Sequence, residues 1–299
     1  MSWKDFRSLT KVSIAAASTF TAAAGYLAAL RAFHWGLGTT LLGTLLMAMG
    51  SCAWNEVQES HLDGQMARTR NRPVPAGRVS RLSGFLTGLA LAGSGFALLA
   101  VVHGWTAALL GLLALVWYNG VYTPLKRVTA FAILPGALIG ALPPAIGWAA
   151  AGASLRSPAL VALCLIFFLW QVPHFWMLMM LHDQDYGQAR FPTLSRHFRA
   201  DQSARLTFTW TAATAFSCAF LPAFGAVGSL PVLAILAAAA LWLLWSAGPL
   251  LRPAPGGPVF RHTFWCINLF ALVLILAVSA DPFLPQPAAR VGAVAQWRP

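Results

Sequence analysis

Residues 36–63 read GLGTTLLGTLLMAMGSCAWNEVQESHLD. The first part, 36–54, holds no charged side chain and is long enough to cross a bilayer as a helix, which takes roughly 20 residues. The second part turns polar at once, with Asn55, Glu56, Glu59 and Asp63 inside nine positions. A carboxylate at the edge of a bilayer is costly unless a cation or a polar cavity receives it. The stretch therefore predicts a membrane helix whose polar end enters a functional site.

The rest of the chain extends the apolar theme. Hydrophobic residues make up 58% and charged residues 9%, with a mean hydropathy of +0.67, whereas a soluble domain carries about 25% charge. The runs are continuous and rich in Ala and Leu, not alternating, which favours helices over a barrel. The fold class expected is all-α: a polytopic membrane bundle of nine transmembrane helices, at about 12–33, 36–54, 82–102, 105–122, 128–150, 157–181, 205–224, 228–247 and 262–280. One domain covers 1–281, and 282–299, rich in Pro, Ala and Gly, reads as a flexible tail. The first run follows basic residues and contains Ala-x-Ala steps, but it is too long for a signal-peptide core. Cys52, Cys164, Cys218 and Cys266 stand alone with no CxxC spacing and read as small buried apolar side chains.

The net charge of +12 does not call for nucleic acid. With the N-terminus inside, all of the 20 Lys and Arg except Arg31, Arg156, Arg290 and Arg298 fall on the cytoplasmic side, as the positive-inside rule requires. Both acidic clusters then face the cytoplasm, where soluble phosphorylated metabolites are found, and the C-terminus lies outside. The chain has only eight carboxylates, and five sit in those clusters: Glu56, Glu59 and Asp63, then Asp183 and Asp185. Two such clusters suggest one metal site assembled from two loops.

Asn55, Glu59 and Asp63 are spaced i, i+4, i+8. On a continued helix they share a face at steps of about 6 Å, and three oxygen side chains in a row suit Mg²⁺. Glu56 lies off that face and reads as a solvated carboxylate; His61 is also off it. Arg68, Arg70, Arg72 and Arg78 follow closely. They fit either a metal-bridged diphosphate gripped by guanidinium groups or a lipid-headgroup anchor.

The second cluster follows Trp170-Gln171-Val172-Pro173-His174-Phe175-Trp176, polar residues inside a span beside a proline. If the helix continues, Gln171, His174 and Asp185 line one wall with Asp185 at its mouth. His174 fits equally an interhelical hydrogen bond, and Trp170, Phe175 and Trp176 fit packing as well as a wall that stabilises a cation. A third element, Tyr118 to Arg127, offers two tyrosines, an amide, Lys126 and Arg127. Gly136, Gly140 and Gly147 with Pro143-Pro144 predict close helix contacts and a broken helix. The two long polar connections, 55–81 and 182–204, recur after four helices and hint at an internal duplication.

Together these residues resemble the UbiA superfamily of intramembrane prenyltransferases, and within it the haem O synthases. The resemblance is carried by NEVQESHLDGQMARTRNRPVPAG (55–77), YTPLKRVT (122–129), GALIGALPPAIGW (136–148), WQVPHFW (170–176) and DYGQARFPTLS (185–195), and it runs over most of 12–280. Glu59 stands where the superfamily more usually has Asp, only Asp183-x-Asp185 remains of a second acidic motif, and Ala132, Arg190 and Thr193 also depart from the pattern.

The resemblance implies a Mg²⁺-dependent transfer of the farnesyl group of farnesyl diphosphate to a vinyl group of haem B, in a bacterial inner membrane. Asn55, Glu59, Asp63 and Asp185, with Asp183, would hold Mg²⁺, and Arg68, Arg72, Lys126 and Arg127 would neutralise the diphosphate. Tyr118, Tyr122 and Trp170 would shield the allylic cation, while Gln171 and His174 would face the porphyrin. Haem A synthase would be a functional neighbour. Two other readings stay open: a prenyltransferase acting on an aromatic quinone precursor or a chlorin, and a membrane transporter without enzymatic activity.

Overall fold

The computed structural model describes residues 1–188, 191–253 and 255–287. All of its regular structure is helical. A short helix, α1 (Trp3–Leu9), precedes the bundle. The long helices are α2 (Val12–Leu30), α3 (Gly36–Asp63), α4 (Arg81–His103), α5 (Trp105–Leu125), α6 (Ala130–Ala150) and α7 (Pro158–Leu181). After the short α8 (Asp183–Gln188) come α9 (Ala200–Ser217), α10 (Leu230–Leu251) and α11 (Gly257–Ala280).

Among the described residues, 8 helices are long and apolar enough to cross a membrane. The expected seventh span, α9, is not one of them. It starts at Ala200, ends at Ser217 and carries Asp201, Arg205 and four threonines. Those threonines return their hydroxyls to carbonyls one turn back, Thr207 to Ser203, Thr209 to Arg205, Thr211 to Thr207 and Thr214 to Trp210. Three of them, Thr207, Thr211 and Thr214, are buried. A helix can bury a polar composition when each hydroxyl is satisfied within it, which hydropathy alone does not register.

Small residues set the close approaches. A Cβ on Gly95 of α4 would stand 2.6 Å from the Gly43 carbonyl of α3, and one on Gly50 would stand 2.7 Å from the Gly88 carbonyl. Gly25 of α2 meets the Pro144 backbone of α6, and Gly147 of α6 meets the Ala22 carbonyl. The expected glycine contacts of α6 are present, but its break is not at the prolines. Pro143 and Pro144 lie buried inside the continuous Leu138–Ala150 segment, and the helix is interrupted at Ala137 instead. Cys52, Cys218 and Cys266 are buried, in keeping with their reading as apolar fillers.

At the bundle end remote from the acidic clusters, Asp281 is fully buried. It accepts the backbone N–H groups of Gly228 and Ser229 and lies 3.6 Å from the Arg31 guanidinium. One carboxylate thus ties the ends of α2 and α11 to the start of α10.

Candidate functional site

The apolar stretch that opens α3 continues without a break to Asp63, further than the span expected for it. Asn55, Glu59 and Asp63 follow at one-turn intervals and are all buried. Each has a cation from a different element. Lys11, between α1 and α2, donates to Asn55 Oδ1 at 2.9 Å. Lys126, at the end of α5, lies 2.6 Å from Glu59 Oε2. Arg72, on the loop after α3, lies 2.7 Å from Asp63 Oδ2. Asn55 Nδ2 donates to Glu59 Oε2 at 3.0 Å and to Thr123 Oγ1 at 3.1 Å, which fixes the amide orientation and leaves its oxygen to Lys11.

The cations are held by backbone geometry. Lys11 adopts a left-handed φ of 47°, which turns the chain from α1 into α2 and points its side chain inward. Burial lowers its ammonium pKa below the ordinary lysine value, since a desolvated charge is disfavoured. Residues 117–122 of α5 form a π-helical turn, an irregularity that often accompanies functional sites. It stacks Tyr118 on Tyr122 with ring centroids 5.8 Å apart, and Lys126 Nζ lies 5.5 Å from the Tyr122 centroid. Arg127 donates to the Gln58 carbonyl at 2.9 Å and Gln58 donates to the Asn119 carbonyl at 3.2 Å, clasping α5 to α3. Arg68 and Arg70 are exposed on the loop rim.

A row of rings leads away from this polar floor. Tyr122 is 6.3 Å from Phe175, Phe175 is 5.2 Å from His174, and His174 lies 4.7 Å from Trp170 and 5.1 Å from Phe264. The Nδ1 of His174 is buried with no partner among the described residues. Trp170 donates its indole N–H to the Ile267 carbonyl at 2.9 Å, so it braces α7 against α11. Gln171 packs on Gly140, where an added Cβ would meet its Oε1 at 2.7 Å.

Two expectations are corrected here. Glu56 is neither solvated nor off the face: on the continuous helix it stands two turns before Asp63 on nearly the same side, and it is fully buried and accepts the Val74 N–H at 3.1 Å, because the loop after α3 folds back over it. The wall expected to run from Gln171 through His174 to Asp185 is interrupted, since α7 ends at Leu181 and His182 leaves the helical region at φ −122° and ψ 25°. Asp183 and Asp185 then ride on the separate α8, half-buried, with Asp183 accepting the Ser195 hydroxyl at 2.8 Å. The two loops do meet, through packing of Phe191 on Met66 and Leu62. Yet among the described residues no three His, Cys, Asp or Glu side chains converge where one metal ion would sit.

The α3 half of a cation site is nevertheless present in its chemistry. Glu59 Oε1 is buried with no partner among the described residues, and the oxygens of Asn55, Glu59 and Asp63 already receive positive charge. Hard oxygen donors of this kind suit Mg²⁺. Lys11 counted in the sequence only as one more inside cation, because its partner is 44 residues away and no local spacing reveals it.

Known proteins resemble this chain in sequence and in fold. The profile of the UbiA prenyltransferase family matches residues 17–267. A protoheme IX farnesyltransferase of Geobacter sulfurreducens is 38% identical over 270 residues, covering 90% of this chain and 96% of that protein. Its counterpart of the same name in Nitratidesulfovibrio vulgaris is 43% identical over 183 residues, 61% of this chain and 64% of that protein, so this match spans just under two thirds of its length. A UbiA homologue from Archaeoglobus fulgidus, solved bound to GPP and Mg²⁺, shares the fold with a TM-score of 0.67 at 14% identity, over 92% of this chain and 99% of that one.

Proposed function

The chain belongs to the UbiA prenyltransferase family, and from that premise we propose that it joins the farnesyl group of farnesyl diphosphate to a vinyl group of haem B, with addition of water, to give haem O and diphosphate. The observation that carries this reading is the convergence of Lys11, Arg72 and Lys126 on the oxygens of Asn55, Glu59 and Asp63. Three cations from three different elements converge on one helix end, and a diphosphate needs cations that can turn to it from several sides. The acceptor is taken from relatives named protoheme IX farnesyltransferase.

Negative charge grows on the diphosphate as its bond to the allylic carbon breaks, and preformed cations aimed at that charge lower the barrier. Lys126 and Arg72 would turn from their carboxylates to the leaving oxygens, with Arg68 and Arg127 on the rim. Asn55, Glu59 and Asp63, with Asp183 and Asp185 brought over by α8, would hold Mg²⁺. When bound, Mg²⁺ supplies Lewis-acid neutralisation of the diphosphate. The faces of Tyr118 and Tyr122 would shield the allylic cation, and the ring row would carry the isoprenoid towards His174. Vinyl attack forms the new carbon–carbon bond, water captures the resulting cation, and one proton leaves to solvent.

His174 would meet the porphyrin through Nδ1, as iron ligand or hydrogen-bond partner. The chain would lie in a bacterial inner membrane with its N-terminus and acidic loops in the cytoplasm, and its product would suit haem A synthase as the next enzyme. The test is mass spectrometry of haems after incubation of the purified protein with haem B and farnesyl diphosphate, with and without Mg²⁺. A Mg²⁺-dependent hydroxyethylfarnesyl product is expected. Unmodified haem, with diphosphate released when a quinone precursor is supplied, would move the acceptor to another class.

A further inference from the structure

Glu56 has no part in the reaction described above, yet it is the most deeply buried carboxylate of the polar floor. Its Oε1 accepts the Val74 N–H at 3.1 Å, and its Oε2 is buried with no partner among the described residues. Val74 stands between Pro73 and Pro75. Neither proline has an N–H, so Val74 offers the only backbone donor of the three residues, on a segment that the two rings stiffen.

Glu56 and Asp63 are seven residues apart on one helix, so they lie two turns apart on nearly the same side, about 10 Å along the axis. The loop runs back along that side and is clamped twice: Arg72 to Asp63 at 2.7 Å and Val74 to Glu56 at 3.1 Å. Between and beyond the clamps the loop is internally bonded, Ala76 N–H to the Arg72 carbonyl at 2.9 Å and Val79 N–H to the Pro73 carbonyl at 3.0 Å. Val74 and Val79 pack with Leu9 and Ala53. A diphosphate that recruits Arg72 opens the first clamp. The second, with the packing of Val74 and Val79, then keeps the loop in register.

We propose that Glu56 is a positioning residue that holds the Arg72 loop on α3 through the Val74 N–H, and thereby sets the affinity for the diphosphate end of the donor. This rests on reading the floor as a diphosphate site.

The experiment uses the full chain in detergent micelles and titrates inorganic diphosphate with Mg²⁺, alongside haem B. Glu56→Gln keeps an acceptor oxygen, whereas Glu56→Leu keeps volume without one. Glu56→Leu is expected to weaken diphosphate binding about 10-fold, the size of one lost charge-assisted hydrogen bond. Glu56→Gln should stay close to the parent, and haem affinity should be unchanged in both. In an Arg72→Gln background the added cost of Glu56→Leu should vanish, because a residue acting through Arg72 has nothing left to position.

An equal loss in both backgrounds, or a Gln variant as weak as the Leu variant, would overturn the proposal. If Glu56→Leu does not fold, hydrogen exchange of the parent decides. The Val74 amide should stay protected when diphosphate binds, and loss of that protection would overturn the proposal. Parent protein that binds no diphosphate overturns instead the diphosphate reading of the floor. Parent protein that binds it with no effect of Glu56→Leu overturns this inference alone.

Discussion

Lys126 Nζ lies 2.6 Å from Glu59 Oε2, joining the end of α5 to the last turns of α3. The same carboxylate oxygen accepts from Asn55, so one atom gathers an ammonium and an amide while Glu59 Oε1 is left without a partner among the described residues. Two spans are thereby held at a fixed separation by groups that the reaction would also use. In the proposed reaction a diphosphate and its metal would replace these partners, so donor binding would be coupled to rearrangement of the floor.

Replacing Lys126 by Met should therefore cost more than affinity. The methionine fills the space but removes charge where the leaving group develops it, and losses of about 10²-fold in kcat are typical for removal of one such group. Steady-state rates over a range of farnesyl diphosphate concentrations check this. A change in KM alone would place Lys126 in ground-state binding.

Withdrawal of divalent metal should abolish turnover, and added Mg²⁺ should restore it. Diphosphate binding should weaken by about 10²-fold without disappearing, because Lys11, Arg72 and Lys126 remain and charge-assisted contacts survive loss of the metal. Titration of chelated protein with diphosphate, followed by Mg²⁺ addition, measures both parts.

Asp281→Ala should destabilise the bundle by about 3 kcal/mol, the scale of breaking a buried ion pair. It strands the N–H groups of Gly228 and Ser229 and leaves Arg31 without its carboxylate. Thermal unfolding in micelles reports the loss. Diphosphate affinity below the transition should be unchanged, since Asp281 lies at the other end of the bundle.

His174→Ala should lower haem affinity about tenfold, the size of one contact of a buried ring nitrogen. Spectroscopic titration with haem B checks it, and unchanged affinity with unchanged turnover would remove His174 from the mechanism.

The residues differ in how far the sequence alone reveals their roles. Asn55, Glu59 and Asp63 were legible because a helical period places them on one face, and that period is local. The spans were legible because lipid demands long apolar runs; the seventh, read at 205–224, is in the structure the shorter and more polar α9 and is not among the 8 helices apolar enough to cross. Lys11, Glu56 and the break at His182 were not legible. The first two depend on pairings across 44 and 18 residues, which no spacing rule encodes. At His182 the chain turns where nothing in Leu181-His182-Asp183 forbids a helix from continuing.

The pair Arg72–Asp63 gives the sharpest separation between support and chemistry. Its 2.7 Å geometry with Asp63 buried is what a structural ion pair shows, and a purely structural pair survives exchange of its ends. The double substitution Asp63→Arg with Arg72→Asp keeps one positive and one negative group in contact. If the pair only tied the loop to α3, turnover would recover towards that of the parent. In the proposed reaction the exchange puts a carboxylate where the diphosphate needs a guanidinium, and a guanidinium where Mg²⁺ needs an oxygen. Each single substitution should lower kcat/KM by about 10²-fold or more. The exchange should restore thermal stability lost in the singles while turnover stays at their level. Unfolding midpoints and initial rates measured on the same four proteins decide it: stability and activity recovering together would make the pair structural.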